Sequence, residues 1–332
     1  MGVTVGLVAH ADYGEERPRH LGRYLRRWAA AAEDGGLDAL YTATEIGWDR
    51  ADPVALLASL AACTERVRLG TAVLLAPLRD PLQVAESFAT IQQISHRPVV
   101  LGLGQGWRRS EFDAVGVALS ERPGRLLDHL ETLPGLLRGE PVTHDGRHHT
   151  MQGVRVGWAD AAGVPVWVGA SSRRAIERAA ARADGWVAGP FSTVDGIARQ
   201  SDAYREAAAR AGRRAGSIVV MRECWVAQDE GAAMREAEVI RDKYAEYARV
   251  AGPMPFKAEW DLDRLAHDRF VIGDPATCAE MLADVVRRTS ATDLVLRAQF
   301  RGMDPDRALE AVEVLGREVR PRLHHLLKQD QV

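Results

Sequence analysis

The chain has 332 residues, of which 46% are hydrophobic and 27% charged, and its formal net charge at pH 7 is −3. This slight negative charge, without a long basic block, argues against a nucleic-acid-binding surface. No run reaches the roughly 20 apolar residues that a membrane helix needs. The three cysteines lie far apart in sequence and predict neither a disulfide framework nor a metal site. Because the first residues also lack a signal-peptide pattern, we expect a cytoplasmic protein.

Short apolar segments alternate with longer amphipathic segments along the whole chain. The apolar segments predict eight strands, at Val3–Ala9, Asp38–Thr42, Val67–Leu74, Val99–Leu103, Pro165–Gly169, Gly185–Ala188, Ile218–Ala227 and Asp293–Arg297. The amphipathic segments predict helices at Leu21–Gly36, Pro53–Cys63, Asp80–Ser95, Arg122–Leu137, Arg173–Arg182, Gly231–Arg249, Pro275–Arg288 and Asp304–Leu327, and a further helix that follows strand six and extends through Ala211.

Two segments do not fit this alternation. Val142–Val156 contains an Asp145-Gly146 pair, which is typical of a β-hairpin turn. Its histidines, at 144, 148 and 149, are expected on a solvated hairpin rather than around a metal ion. Ala251–Phe270 is irregular and rich in proline and aromatic residues, and we interpret it as a lid-like segment, with a disordered insertion as the alternative.

Eight βα units within one domain, residues 1–332, predict an α/β fold of the (β/α)8 TIM-barrel class with these two insertions. A doubly wound open sheet is the competing architecture. Its glycine fingerprint is not found after the first strand.

A glycine-rich turn follows the fourth predicted strand. The sequence there reads LGLGQGW, which places Gly102, Gly104 and Gly106 where the backbone can approach a ligand closely. Because α/β barrels keep their sites at the carboxyl ends of the strands, this turn predicts one side of a binding site.

Several segments together resemble the luciferase-like flavin oxidoreductases. They are RLGTAV, DPLQVAESFATIQQIS, LGLGQGWRRSEFDAVGV, PVWVGASSRRAIERAAARADGWV and IGDPATCAEML, in the family's order. The resemblance implies a (β/α)8 barrel, usually dimeric, with a flavin lying across the carboxyl ends of the strands. The family includes monooxygenases and enzymes of the deazaflavin coenzyme F-420.

The resemblance also implies which residues hold the cofactor. A non-proline cis peptide at the end of strand three corresponds to Ala72–Val73, which would lie behind the flavin ring. Gly104, Gln105 and Gly106 would line the cofactor. The loop of Gly169, Ala170, Ser171, Ser172 and Arg173 would hold its phosphate, although a serine there equally suits a simple helix cap.

Three positions depart from the family pattern. Gln105 stands where luciferase has a phosphate-binding arginine, and Trp107 stands where some deazaflavin dehydrogenases have a catalytic glutamate. Ile46 and Gly47 replace the two histidines that follow the glutamate matching Glu45. Because the imidazole of the light-emitting reaction is missing, bioluminescence is not expected.

The candidate catalytic residues are His10 and Glu45, which follow the first and second strands. A histidine titrates near neutral pH, and a desolvated carboxyl group is a proton donor or acceptor, although Glu45 could equally be structural. The candidate substrate-binding residues are Asp12, Trp107, Arg222 and Arg297. Strand alternation leaves open which of the arginines point inward.

These observations favour a monooxygenase of a small organic molecule that receives reduced FMN from a separate flavin reductase. Hydride transfer with coenzyme F-420, to or from C=C, C=N or C–OH groups, is the alternative. A non-catalytic flavin-binding protein is a third possibility. The resemblance implies a homodimer, and no nucleic-acid, membrane or metal partner is expected.

Overall fold

The computed structural model describes residues 2–9, 20–44, 51–250, 257, 259–300 and 303–330. The strands are β1 Thr4–Val8, β2 Ala39–Thr42, β3 Arg68–Thr71, β4 Leu74–Leu75, β5 Val99–Gly104, β6 Val142–Asp145, β7 Thr150–Val154, β8 Val166–Gly169, β9 Gly185–Ala188, β10 Ser217–Val226, β11 Val271–Gly273 and β12 Asp293–Arg297. The α-helices are α1 Leu21–Gly35, α2 Pro53–Ala61, α3 Pro81–Ser95, α4 Arg109–Asp113, α5 Arg122–Leu136, α6 Arg173–Arg182, α7 Val194–Arg210, α8 Glu230–Val250, α9 Leu262–Ala266, α10 Pro275–Thr289, α11 Pro305–Val314 and α12 Arg320–Gln329.

The chain packs as two compact units. The first comprises Met1–Tyr41, Ala188–Ala203 and Ser217–Val332, and its parallel strands follow the order β11-β10-β12-β1-β2. The second comprises Thr42–Val187 and Tyr204–Gly216, with the parallel order β3-β5-β8-β9 and β4 beside β5. Parallel strands alternating with helices in this way define the (β/α)8 barrel class, so the predicted fold class is confirmed.

All eight predicted strands are present, and strand three is divided into β3 and β4. The main difference from the predicted order of elements lies after the seventh predicted strand. One helix and an irregular segment are predicted before α10, whereas the structure has α8, α9 and β11 there. β11 has only three residues, which is too short to show a sequence period. Of the predicted lid-like segment, residues 251–256 and 258 lie outside the described residues. Its described end includes α9.

Four of the helices begin at an Asp-Pro pair. Asp52, Asp80, Asp274 and Asp304 are the N-caps of α2, α3, α10 and α11, and each accepts hydrogen bonds from backbone amides of the first turn. The proline that follows has no amide hydrogen to leave unpaired and already has a helical φ. The sequence therefore fixes these helix starts locally.

The predicted C-terminal helix is interrupted by a π-helical segment, Leu315–Val319, between α11 and α12. Gly316 lies against α1 at this point. A β-carbon built on Gly316 would lie 2.5 Å from the carbonyl oxygen of Gly35. The glycine pair thus allows the two backbones to touch inside the first unit.

β6 and β7 form the predicted hairpin, which packs on α5 in the second unit. Asp128 is buried and accepts hydrogen bonds from the backbone amides of His148 and His149, at 3.0 and 3.1 Å. The side chains of His144, His148 and His149 are only 10–12% exposed. The expectation of solvated histidines is therefore wrong, because Asp128 holds the hairpin turn against the helix.

The helices of the described residues include none with the length and apolar character required to cross a membrane.

Candidate cofactor site

The site begins with a bulge between β3 and β4. Gly70 pairs with Val100 of β5, whereas Leu74 pairs with Leu103, so four residues on one strand face three on the other. The peptide bond Ala72–Val73 in this bulge is cis, as predicted. The amide of Thr44 donates to the Val73 carbonyl oxygen over 3.1 Å, and the Ala72 amide donates to Thr42 over 2.8 Å.

The bulge directs the Val73 side chain over glycines of two neighbouring strands. A β-carbon built on Gly104 of β5 would lie 2.4 Å from Val73 Cγ2, and one on Gly169 of β8 would lie 3.5 Å from Val73 Cγ1. A β-carbon on Gly102 would lie 2.1 Å from the Thr71 carbonyl oxygen. Glycine is required at 102 and 104, because the Thr71 carbonyl group and Val73 fill the space that a side chain would need, whereas at Gly169 a β-carbon would make ordinary contact with Val73.

The turn after β5 is held by side chains from the segment that follows it. Gly106 has a φ of +70°, and the Arg122 guanidinium donates to its carbonyl oxygen over 3.1 Å. Arg108 is buried, with its guanidinium carbon 4.9 Å from the centre of the Trp107 ring. Gln105 and Trp107 are both half-buried. The turn therefore keeps a fixed backbone while leaving these two side chains partly accessible.

The loop after β8 leads directly into α6. Two hydrogen bonds hold the backbone of Ala170. Its amide donates to the Val187 carbonyl oxygen over 3.2 Å, and its carbonyl oxygen accepts from Trp186 Nε1 over 2.8 Å. Ser172 is the N-cap of α6 and accepts a long, 3.4 Å hydrogen bond from the Ala175 amide. Ser171, Ser172 and Arg173 are exposed. The structure thus supports the capping interpretation for Ser172, which is compatible with anion binding.

All ten predicted cofactor-binding residues lie in the second unit, in or directly after β3–β4, β5 and β8. Half-buried Val73, packed over Gly104 and next to half-buried Gly169, offers an apolar surface that fits a flat aromatic ring. The start of α6, with no acidic residue in its first turn and two exposed serine hydroxyls, fits a phosphate group. The residues present therefore fit both ends of a flavin nucleotide, and their role in binding stays a prediction.

The first unit contains a separate buried polar cluster, formed by Glu223 of β10, Arg297 of β12 and Tyr244 of α8. Glu223 is fully buried and accepts from Arg297 Nε and from the Tyr244 hydroxyl, both at 2.8 Å. Burial raises the pKa of Tyr244 well above its usual value, so this hydroxyl stays a donor. Arg297, a predicted substrate-binding residue, is therefore held by a carboxylate at the carboxyl end of its strand.

Arg222 lies on the opposite face of β10 from Glu223, because successive side chains alternate along a strand. It shares its face with Cys224, whose thiol contacts Cys278 of α10. The Arg222 side chain is almost completely buried, and burial lowers its pKa to about 10. The structure therefore places Arg222 on the side of β10 that faces α10.

Three predicted residues, His10, Asp12 and Glu45, lie outside the described residues, and their roles stay predictions. Sequence reasoning missed Glu223 and Tyr244. The available signal was Glu223 itself, a carboxylate inside an otherwise buried ten-residue strand, which requires a cationic or hydrogen-bonding partner.

Comparison with known proteins gives the class of this fold and site. Residues 3–293 match the family described as luciferase-like monooxygenase. The chain belongs to this family, whose members use flavin or deazaflavin coenzymes in oxidation and reduction reactions.

Individual relatives match different shares of the chain. An uncharacterized protein of Mycobacterium tuberculosis is 34% identical over 142 residues, which is 42% of this chain and about half, 50%, of that protein. An F420-dependent glucose-6-phosphate dehydrogenase of Nakamurella multipartita is 28% identical over 91% of this chain and 92% of its own length.

Solved structures confirm the fold. The monooxygenase RslO1 from Streptomyces bottropensis has a TM-score of 0.85 and 22% identity, covering 96% of this chain and 99% of that one. The coenzyme F420-dependent tetrahydromethanopterin reductase from Methanopyrus kandleri has a TM-score of 0.78 and 18% identity, covering 97% of this chain and 100% of its own.

Proposed function

We propose that this protein is an oxidoreductase that binds a flavin-type coenzyme in the second unit and acts on a small organic molecule. The observation that carries the proposal is the Val73 bulge over Gly104 and Gly169, next to the N-terminus of α6. A half-buried apolar side chain packed over glycine suits the face of a planar ring, and the helix start suits its phosphate.

Coenzyme F-420 is the first candidate. Full-length support comes from the F420-dependent dehydrogenase of Nakamurella, which aligns over nine-tenths of the chain. Gln105 also favours F-420 over FMN, because a neutral amide stands where luciferase has the arginine that holds the FMN phosphate. The reaction would be hydride transfer to or from a C=C, C=N or C–OH group.

Reduced FMN, used for monooxygenation, is the second candidate, and it is the one that the sequence pattern favoured. Its support is the loop itself, since two serine hydroxyls, first-turn amides and Arg173 suit a terminal phosphate dianion. A separate reductase would then supply the reduced flavin. The homodimer implied by the family resemblance is proposed for either candidate.

The coenzyme, when bound, supplies the hydride or oxygen chemistry. This chain's own residues position it and manage protons. In our proposal, Val73 and the glycines support the ring, the Gly169–Arg173 loop binds the phosphate, and His10 and Glu45 transfer protons. Arg297, oriented by Glu223, binds an acidic group of the substrate, and Trp107 and Asp12 contribute further substrate contacts. Arg222 is not included in this set, because it lies on the face of β10 that packs against α10.

The test is a binding titration of the purified protein with FMN and with coenzyme F-420, each oxidised and reduced. Tighter binding of F-420 would support the first candidate, and tighter binding of reduced FMN the second. Failure to bind either coenzyme would overturn the proposal.

Two variants test the loop directly. Ser171→Ala removes an exposed hydroxyl that does not cap the helix, whereas Ser172→Ala removes the N-cap as well. Both are expected to weaken coenzyme binding several-fold, and Ser172→Ala should also lower the free energy of unfolding by about 1 kcal/mol through loss of the N-cap. Unchanged affinity in both variants would contradict phosphate binding by this loop.

A further inference from the structure

Three arginines form a row along α6. Arg174, Arg178 and Arg182 recur every four residues, so their side chains share one face of the helix. Each step along this row is about 6 Å, from the helical rise per residue. The row begins two residues after Ser172, at the loop proposed to hold the coenzyme phosphate.

The row differs from Arg173 and Arg210 nearby, because these two arginines are paired with a carboxylate. Arg173 pairs with Glu177 at 3.2 Å, and Arg210 of α7 reaches the same carboxylate at 3.5 Å. Within the described part of the chain, no carboxylate makes an ion pair with Arg174, Arg178 or Arg182. Three positive charges are therefore adjacent and uncompensated.

Two of these arginines are placed at a cost. Arg174 lies in the first turn of α6, where the helix dipole already favours negative charge, whereas Arg182 in the last turn is favourably placed. Arg178 is half-buried, and its Nη1 is shielded from solvent without a hydrogen-bond acceptor. Burial, together with repulsion from Arg174 and Arg182, lowers the pKa of Arg178. An anion along the row would supply the missing acceptor and relieve the repulsion.

We propose that Arg174, Arg178 and Arg182 bind an extended anionic chain that continues from the coenzyme phosphate, namely the series of carboxylates in the oligoglutamate tail of F-420. This inference rests on the proposed coenzyme site and adds a subsite to it. FMN ends at one phosphate and would leave the row unused, so the row also distinguishes the two coenzymes.

The test compares three ligands: F-420 with a long oligoglutamate tail, F-420 with a single glutamate, and FMN. The test variant carries Arg174→Gln, Arg178→Gln and Arg182→Gln. The matched control carries Arg199→Gln, Arg317→Gln and Arg322→Gln, which removes three arginines from other helices. Because the row's arginines repel one another, the test variant should unfold at no lower temperature than the wild type.

We expect the wild type to bind the long-tailed F-420 more tightly than the short-tailed form. This difference in affinity should be smaller at high salt, since salt screens exposed charges. Each exposed contact is expected to contribute two- to threefold to the affinity. The loss of all three therefore predicts about a tenfold lower affinity of the test variant for long-tailed F-420. The control, and FMN binding in every variant, should change less than twofold.

Equal binding of the two tail lengths, or an equal loss in the control variant, would overturn the arginine subsite while leaving the coenzyme site standing. Binding of FMN but of neither form of F-420 would also overturn the arginine subsite and leave the coenzyme site standing. Failure of the wild type to bind any of the three ligands would instead overturn the proposed function, and the subsite with it.

Discussion

Val73 and Gly104 are complementary in shape: a β-carbon on Gly104 would lie 2.4 Å from Val73 Cγ2. Gly104→Ala is therefore expected to lower the free energy of unfolding by about 1–3 kcal/mol, the usual cost of overpacking, and to displace Val73. Urea unfolding and coenzyme titration measure both effects. Gly157→Ala is the control, because nothing lies within 4 Å of its β-carbon position.

The cause of that loss can be tested in a double-mutant cycle. Val73→Ala removes the methyl groups that meet the new β-carbon, so the variant with both substitutions should lose less stability than the sum of the single variants, by about 1 kcal/mol. Strictly additive losses would show that the two side chains do not compete for this space.

Trp186 holds the loop that precedes α6 through its hydrogen bond to the Ala170 carbonyl oxygen. Trp186→Phe is expected to weaken coenzyme binding about three- to tenfold and to lower the free energy of unfolding by about 1–3 kcal/mol, since a half-buried acceptor loses its partner. Trp167→Phe in β8 removes the same ring volume without touching this bond. An equal loss of affinity in Trp167→Phe would contradict a specific role for the bond.

Glu223 and Arg297 form a buried ion pair with Tyr244 as a second donor. Glu223→Gln should lower the free energy of unfolding by about 3–5 kcal/mol, because Arg297 loses its counter-charge. Tyr244→Phe should cost about 1–2 kcal/mol. Replacing both Glu223 and Arg297 by Gln should cost less than the sum of the two single changes. Wild-type stability of Glu223→Gln would show that the pair contributes nothing.

His129 of α5 is buried beside the hairpin, and burial lowers its pKa from 6.5 to about 4. The folded protein therefore keeps this imidazole neutral while the unfolded chain binds a proton below pH about 6.5. Stability should fall as the pH falls through this window, with His129 contributing about 1.4 kcal/mol per pH unit. In urea unfolding between pH 7 and 4.5, stability should change less steeply with pH for His129→Phe than for the wild type. Equal slopes in the two proteins would refute the assignment.

The local parts of the fold follow directly from short-range patterns. Asp-Pro pairs fix four helix starts, and apolar runs fix the eight strands to within about two residues at most ends. The position of the loop before α6 follows from the sequence in the same way, because a strand, a glycine and two serines precede a helical pattern. Such features depend on neighbouring residues and are therefore visible in the sequence.

The orientation of side chains, unlike these local features, does not follow from the sequence alone. Whether Arg222 or Glu223 faces α10 depends on strand parity, and a shift of one residue reverses it. The histidines of the hairpin appear solvated in sequence because their burial depends on Asp128, some twenty residues away on another element. The short strand β11 likewise exists only because β10 is long enough to pair with it.

By itself, the sequence determined the (β/α)8 class, the order of its units, the family, and the segments that would surround a coenzyme. Only the tertiary structure decided that Val73 lies over Gly104 and Gly169, that Glu223 holds Arg297, and that Arg174, Arg178 and Arg182 make no ion pair with any carboxylate of the described residues. The physical reason is the distance along the chain over which each interaction acts. Strand and helix periodicity and caps arise from contacts between near neighbours, whereas these relationships join residues distant in the chain and depend on which side chains the packing brings together.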